Sequence, residues 1–197
     1  MTSDVEVKNI LQDLINKFVN LLSTGSFGEV VRKTINDNYA KGMDQSENQF
    51  NMNFFQDSEK IQFLEKYTFD NIKGMNDELA EKLRKELSQG LFNMESVSKL
   101  QKRVSKVMDV GIERAKMIAV TEANRAENMG SLDGARQSGL KLMKQWDAHL
   151  DKKTSPVCAA LNGKTIPLDD KFVYKGQEFE APPAHPNCRS TLVYVHK

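Results

Sequence analysis

The chain has 197 residues, of which 39% are hydrophobic and 28% charged, with a formal net charge of +1. That balance excludes disorder throughout, and no apolar run approaches the roughly 18 residues needed to cross a bilayer. The opening stretch, MTSDVEVKNILQDL, carries charges inside its apolar pattern and no basic leader region, so it does not read as a secretory signal. Two cysteines are too few for a disulfide scaffold.

The charge is unevenly divided. Residues 1–100 hold 12 Lys and Arg against 16 Asp and Glu, whereas residues 101–197 hold 16 against 11. A basic second half suits an anionic partner such as DNA. No Lys/Arg-rich block accompanies it, so ordinary scatter of surface charge is the simpler reading.

Residues 1–140 contain no proline, and all five prolines fall between Pro156 and Pro186. Proline removes a backbone donor and clashes with the preceding helical turn. The expected fold class is therefore α+β. The N-terminal two-thirds is mostly helical, and a small antiparallel β-rich unit with irregular loops follows from about Gly139.

In chain order, Val7, Ile10, Leu11, Leu14, Ile15, Phe18 and Leu21 form a first helical stripe, capped by Ser3 or Asp4 and broken at Gly25 and Gly28. A second helix is expected over 29–41, followed by a polar stretch, DQSENQFNMNFF, that reads as a loop or a frayed helix. Asp57 can cap a helix carrying Ile61 and Leu64, and Asn76 can cap another that ends at Gly90. A helix over 94–108 comes next, then GIERAKMIAVTEANRAENMGSLDGARQSGL as one helix or two, with Gly130 and Gly134 as candidate breaks. Thr121 and Asn128 compete for backbone hydrogen bonds inside a helix, which marks them for a packing or polar contact with the sheet. KLMKQWDAHL reads as a strand with an alternating apolar set, Leu142, Trp146 and His149 or Leu150, its register left open. VCAALNGK reads as a helical turn ended by Gly163, FVYKGQEFEA as a hairpin around Lys175-Gly176, and STLVYV as a closing strand.

The densest chemical cluster is WDAHLD, then Cys158, then HPNCR. His149, Cys158, His185 and Cys188 are four residues of the kinds that hold a tetrahedral zinc ion. Only one close pair, His185 and Cys188, has ligand spacing. A Cys158–Cys188 disulfide and a plain buried histidine with two packed thiols stay as alternatives. Either cysteine with His185 or His149, oriented by Asp147 or Asp151, also has the residue types of a nucleophile and base, and a nuclease-like hydrolase is the alternative function. No local catalytic signature surrounds either cysteine, so the expectation is a structural cluster in a non-enzyme. Arg189 is expected to tie its loop to Asp147, Asp151 or a carbonyl, and the indole N–H of Trp146 to need a partner.

The stretches ERAKMIAVTEANRAENMG, QWDAHLDKKTSPVCAALNGK and PPAHPNCRSTLVYV resemble the Mu-F-like family of phage minor head proteins, also called head morphogenesis proteins. They cover about residues 113–195. The resemblance places family positions on Arg114, Thr121, Glu122, Asn128, Trp146, Asp151, Ser155, Cys158, Gly163, Lys164, His185, Cys188 and Arg189. Val120 stands where the family often has Arg, and Ser155 where some members have Cys. The resemblance implies a helical arm over 1–112 that contacts portal or capsid, and a head morphogenesis domain over 113–197. It also implies a virion protein inside the head near the portal, assembled in the host cytoplasm. Its partners would be the portal protein, with capsid or scaffold proteins and double-stranded DNA as further candidates, and no membrane. No cofactor is expected beyond the zinc already weighed.

Overall fold

The computed structural model describes residues 26–93, 95 and 97–196. The first expected helix, before Gly25, lies outside the described residues. Three long helices follow: α1 (Ser26–Phe50), α2 (Ser58–Phe92) and α3 (Val97–Gln137). The C-terminal part holds β1 (Leu142–Asp147), the short α4 (Pro156–Leu161), β2 (Thr165–Pro167), β3 (Phe172–Tyr174), β4 (Gln177–Phe179) and β5 (Thr191–His196). No strand precedes residue 142 among the described residues, as the proline partition predicts. None of the described helices is long and apolar enough to cross a membrane.

The helices run longer than local signals suggest. The polar stretch from Asp44, expected as a loop or a frayed helix, is regular helix through Phe50, because Met43 and Ser46 are buried and Ser46 Oγ donates to the Ser131 carbonyl at 2.8 Å. Asp57 does cap α2, its Oδ1 accepting from the amides of Glu59 and Lys60 at 3.0 and 3.2 Å. Asn76 caps nothing; it is buried in the middle of α2, which continues past Gly90 to Phe92. Gly130 and Gly134 do not break α3. A Cβ on Gly130 would lie 2.1 Å from the Tyr39 carbonyl oxygen, and one on Gly42 would lie 1.9 Å from that of Glu127. These glycines let α1 and α3 approach backbone to backbone.

The residues form two compact units, and neither is one continuous segment. One unit takes the described residues up to Val31 together with Tyr67–Lys116. Ala80 and Leu83 pack there against Val104, Val107 and Met108. Arg103 pairs with Glu86 and Glu95. The other unit takes Arg32–Lys66 and Met117–Lys197, so the 112/113 boundary drawn from sequence falls inside α3.

In the second unit a three-stranded antiparallel sheet has the order β2-β1-β5. The β3-β4 hairpin turns at Lys175 and Gly176, both with positive φ (49° and 79°). Paired positive φ values are the mark of a type I′ turn. Leu142 and Trp146 face inward as the alternation predicts, and Trp146 meets Phe172 edge-on with ring centroids 5.1 Å apart. The same parity carries Lys144 inward, where it is 0% exposed and donates to the Glu180 carbonyl at 2.8 Å. The core that Trp146 joins is built from Leu132 and Ala135 of α3, Leu161 of α4, Phe172, and Leu192 and Tyr194 of β5.

Candidate metal centre

Cys158, His185 and Cys188 come together at one edge of this core. Each is placed by a local device. Ser155 caps α4, its Oγ accepting the Cys158 amide at 3.3 Å, and Pro156 opens the helix with a preset φ. Cys158 thus sits in the first turn and points inward. The segment His185-Pro186-Asn187-Cys188 closes a tight turn, the Cys188 N–H donating to the His185 carbonyl at 3.2 Å. Pro186 precedes Asn187, whose φ is +55°. Proline followed by a residue of positive φ is the sequence of a type II turn. The turn puts His185 and Cys188 side by side.

Helix α3 holds that turn from behind. Thr121 Oγ1 accepts the Asn187 amide at 2.9 Å. Asn124 and Asn128 both donate to the Ser190 carbonyl, at 3.2 and 3.4 Å. Asn128 Oδ1 accepts the Leu192 amide at 3.0 Å. These residues share one face of α3; Asn128 makes the sheet contact expected of it, on β5, whereas Thr121 meets the turn at Asn187 and not the sheet. Glu122, buried on α3, pairs with Arg125 three residues on at 2.8 Å. Arg114 belongs to the other unit, where it donates to Glu78 at 2.6 Å.

At the cluster, Cys158 Sγ lies 3.2 Å from His185 Nε2 and 3.5 Å from Cys188 Sγ, and all three ligand atoms fall within 4.8 Å of one another. Both cysteines are free and buried. His185 Nδ1 is 2.7 Å from the Pro186 carbonyl oxygen. A carbonyl only accepts, so Nδ1 carries the hydrogen and Nε2 turns its lone pair toward Cys158. Burial pushes the Cys158 thiol above its ordinary value, against hydrogen bonds with Ser155 and Ser190 that favour the thiolate.

His149, the fourth residue of the expected set, stands apart from these three. It follows β1 on an exposed connection, its Nε2 3.8 Å from the Asp151 carboxylate. Asp151 is also taken. Arg189 grips it with two hydrogen bonds of 2.8 and 2.7 Å, and the Lys153 amide adds a third at 2.8 Å. The guanidinium holds the Asp151 carboxyl well below the usual carboxylate range. His149, Ser155, Cys158 and His185 line a small cavity of about 20 Å³.

The remaining motif residues are structural. Trp146 gives its N–H to the Lys164 carbonyl and accepts from Gly163, whose φ of +75° ends the α4 turn. Its indole N–H, expected to find a partner, has none among the described residues. Sequence reasoning missed the buried Tyr39–Asp133 hydrogen bond of 2.6 Å and the Ser131–Tyr194 contact of 3.2 Å. The hydroxyls gave no local signal, because their partners are 94 and 63 residues away.

No solved structure matches the chain significantly. Two curated relatives do. Minor head protein GP7 of Bacillus phage SPP1 is 33% identical over 129 residues, 60% of this chain and 41% of that protein. NAD(+)--arginine ADP-ribosyltransferase EFV of Enterococcus faecalis is 28% identical over 128 residues, 60% of this chain and 26% of that protein. The chain thus spans less than half the length of either relative. The model of the family described as Phage Mu protein F like protein matches residues 81–193, which include the α3 face, the Cys/His cluster and the start of β5. The chain belongs to that Mu-F-like family.

Proposed function

We propose that the protein is a minor head protein of a tailed phage or provirus, acting in head morphogenesis. The observation that carries this reading is the family match over residues 81–193, joined by the likeness to a minor head protein. Arg189, Asp151, Thr121 and Asn128 are spent on holding one loop and one strand in place, as a structural role requires. The name of the ADP-ribosyltransferase belongs to a protein of which the match covers 26%, so its activity is not carried over.

The partner in this proposal is the portal protein, and the location is the head interior close to it, after assembly in the host cytoplasm. Capsid or scaffold proteins are secondary partners. The surplus of Lys and Arg after residue 100 favours contact with packaged double-stranded DNA.

Co-expression with the portal protein of the same genome tests the first partner. A complex that co-elutes on size exclusion supports it, and separate elution at every ratio refutes it. DNA contact through phosphates should weaken steeply as salt rises. Binding that salt does not change would refute that mechanism.

A further inference from the structure

We propose that Cys158, His185 and Cys188 bind one zinc ion, with a solvent molecule completing the coordination from the cavity beside Ser155 and His149. This goes beyond the head-protein reading and does not depend on it.

The distances suit the ion. A tetrahedral zinc with bonds of about 2.3 Å to sulfur and about 2.0–2.1 Å to nitrogen holds two sulfurs about 3.8 Å apart and a sulfur and a nitrogen about 3.6 Å apart. The separations here are 3.5 and 3.2 Å. Opening each by a few tenths of an ångström brings both pairs to the spacing the ion requires, and all three ligand atoms already lie within 4.8 Å of one another.

The chemistry suits it too. Two thiols and an imidazole select zinc over the oxygen-seeking magnesium and calcium. The free ring nitrogen of His185 already faces the cysteines, and its other nitrogen is fixed by the Pro186 carbonyl. A metal-bound histidine needs such an arrangement. On binding, each thiol releases its proton and both sulfurs become thiolates. Two thiolates and one dication carry no net charge, so a buried site is left without an unpaired ion.

The fourth position follows from what surrounds the three. The cavity of about 20 Å³ has room for one water. Asp151 is already held by Arg189. His149 lies outside the three-residue group. Ser155 lines the cavity and hydrogen-bonds Cys158, but a serine hydroxyl is a weak zinc ligand beside a thiolate. A cysteine there would supply the missing sulfur.

The test uses the full chain, purified under reducing conditions without chelator. Elemental analysis should find about one zinc per chain. After stripping, cobalt(II) should give the visible bands of a tetrahedral ion and the near-ultraviolet band of thiolate ligation. Cys188→Ser and His185→Gln should lose those bands. Such variants can fail to fold, so two further variants hold the proposal to account. Ser155→Cys should bind zinc at least tenfold tighter in competition with a chelator. His149→Ala should keep the full complement of zinc and an unchanged cobalt spectrum. Folded wild-type protein that takes up neither metal would overturn the site. An unchanged affinity in Ser155→Cys, or lost metal in folded His149→Ala, would overturn the three-ligand arrangement.

Discussion

Asn128 of α3 completes the free edge of β5: its side-chain oxygen accepts the Leu192 N–H at 3.0 Å. Strand β5 is the last in the order β2-β1-β5, so that N–H has no neighbouring strand to meet. A helix residue takes the place of a strand, which also covers an edge that would otherwise invite pairing with another chain. The Asn128 amide nitrogen meets the Ser190 and Asn124 carbonyls on the other side.

Replacing Asn128 by alanine should therefore strand a buried N–H as well as remove a bond. The expected loss is about 1–3 kcal/mol. Urea unfolding of Asn128→Ala beside the parent protein measures it. A loss near zero would show that β5 does not depend on α3.

The glycines of α1 and α3 give a paired test. Gly130→Ala would push a methyl group to 2.1 Å from the Tyr39 carbonyl oxygen. Overpacking against backbone should cost about 1–3 kcal/mol or more. Gly74 also lies within a helix but has nothing within 4 Å of its Cβ position. There alanine should stabilise by about 0.5–1 kcal/mol, because it restricts the unfolded chain. Opposite signs in thermal melts are the expected outcome.

Lys144 makes stability depend on alkaline pH. Burial pushes its ammonium down to about 8 from 10.5, with Arg136 adding to that and Glu180, Asp169 and Asp170 opposing it. A base whose value falls on folding is held as a penalty while both states are charged. Between the folded and unfolded values the unfolded chain binds more protons, so stability rises with pH there. The rise from pH 8 to above pH 10 should be on the order of 1–3 kcal/mol, and Lys144→Met should abolish it.

Asp151 works in the opposite direction. Its carboxyl titrates below the usual range because Arg189 grips it. Its contribution is complete above the unfolded value of about 4 and fades only as acid protonates the folded form. The stability gap between the parent protein and Arg189→Gln should hold steady at neutral pH and close only well below pH 4. A gap that closes near neutrality would point to another group.

Local chemistry was legible in the sequence where a residue acts on its own turn. The Asp57 cap, the Lys175-Gly176 turn and the change of texture at Gly139 are all of that kind. Asn76 has the same capping chemistry as Asp57, yet it is buried within a continuous helix. Only its distant surroundings distinguish the two. Likewise Gly130 reads as a break until Tyr39 is seen against it. Of the four expected ligands, the His185-x-x-Cys188 pair was visible by spacing, and Cys158 joins it from 27 residues away. Lys144 was within reach, since period-2 alternation from Leu142 to Trp146 passes through it.

The central claim, that the protein is a minor component of a phage head, is tested most directly by mass spectrometry of purified heads. Particles from an induced or infected culture, separated from free protein on a gradient, should contain peptides from residues 113–195 at a small fraction of the major capsid protein. The same peptides abundant in the lysate but absent from the heads would contradict the account.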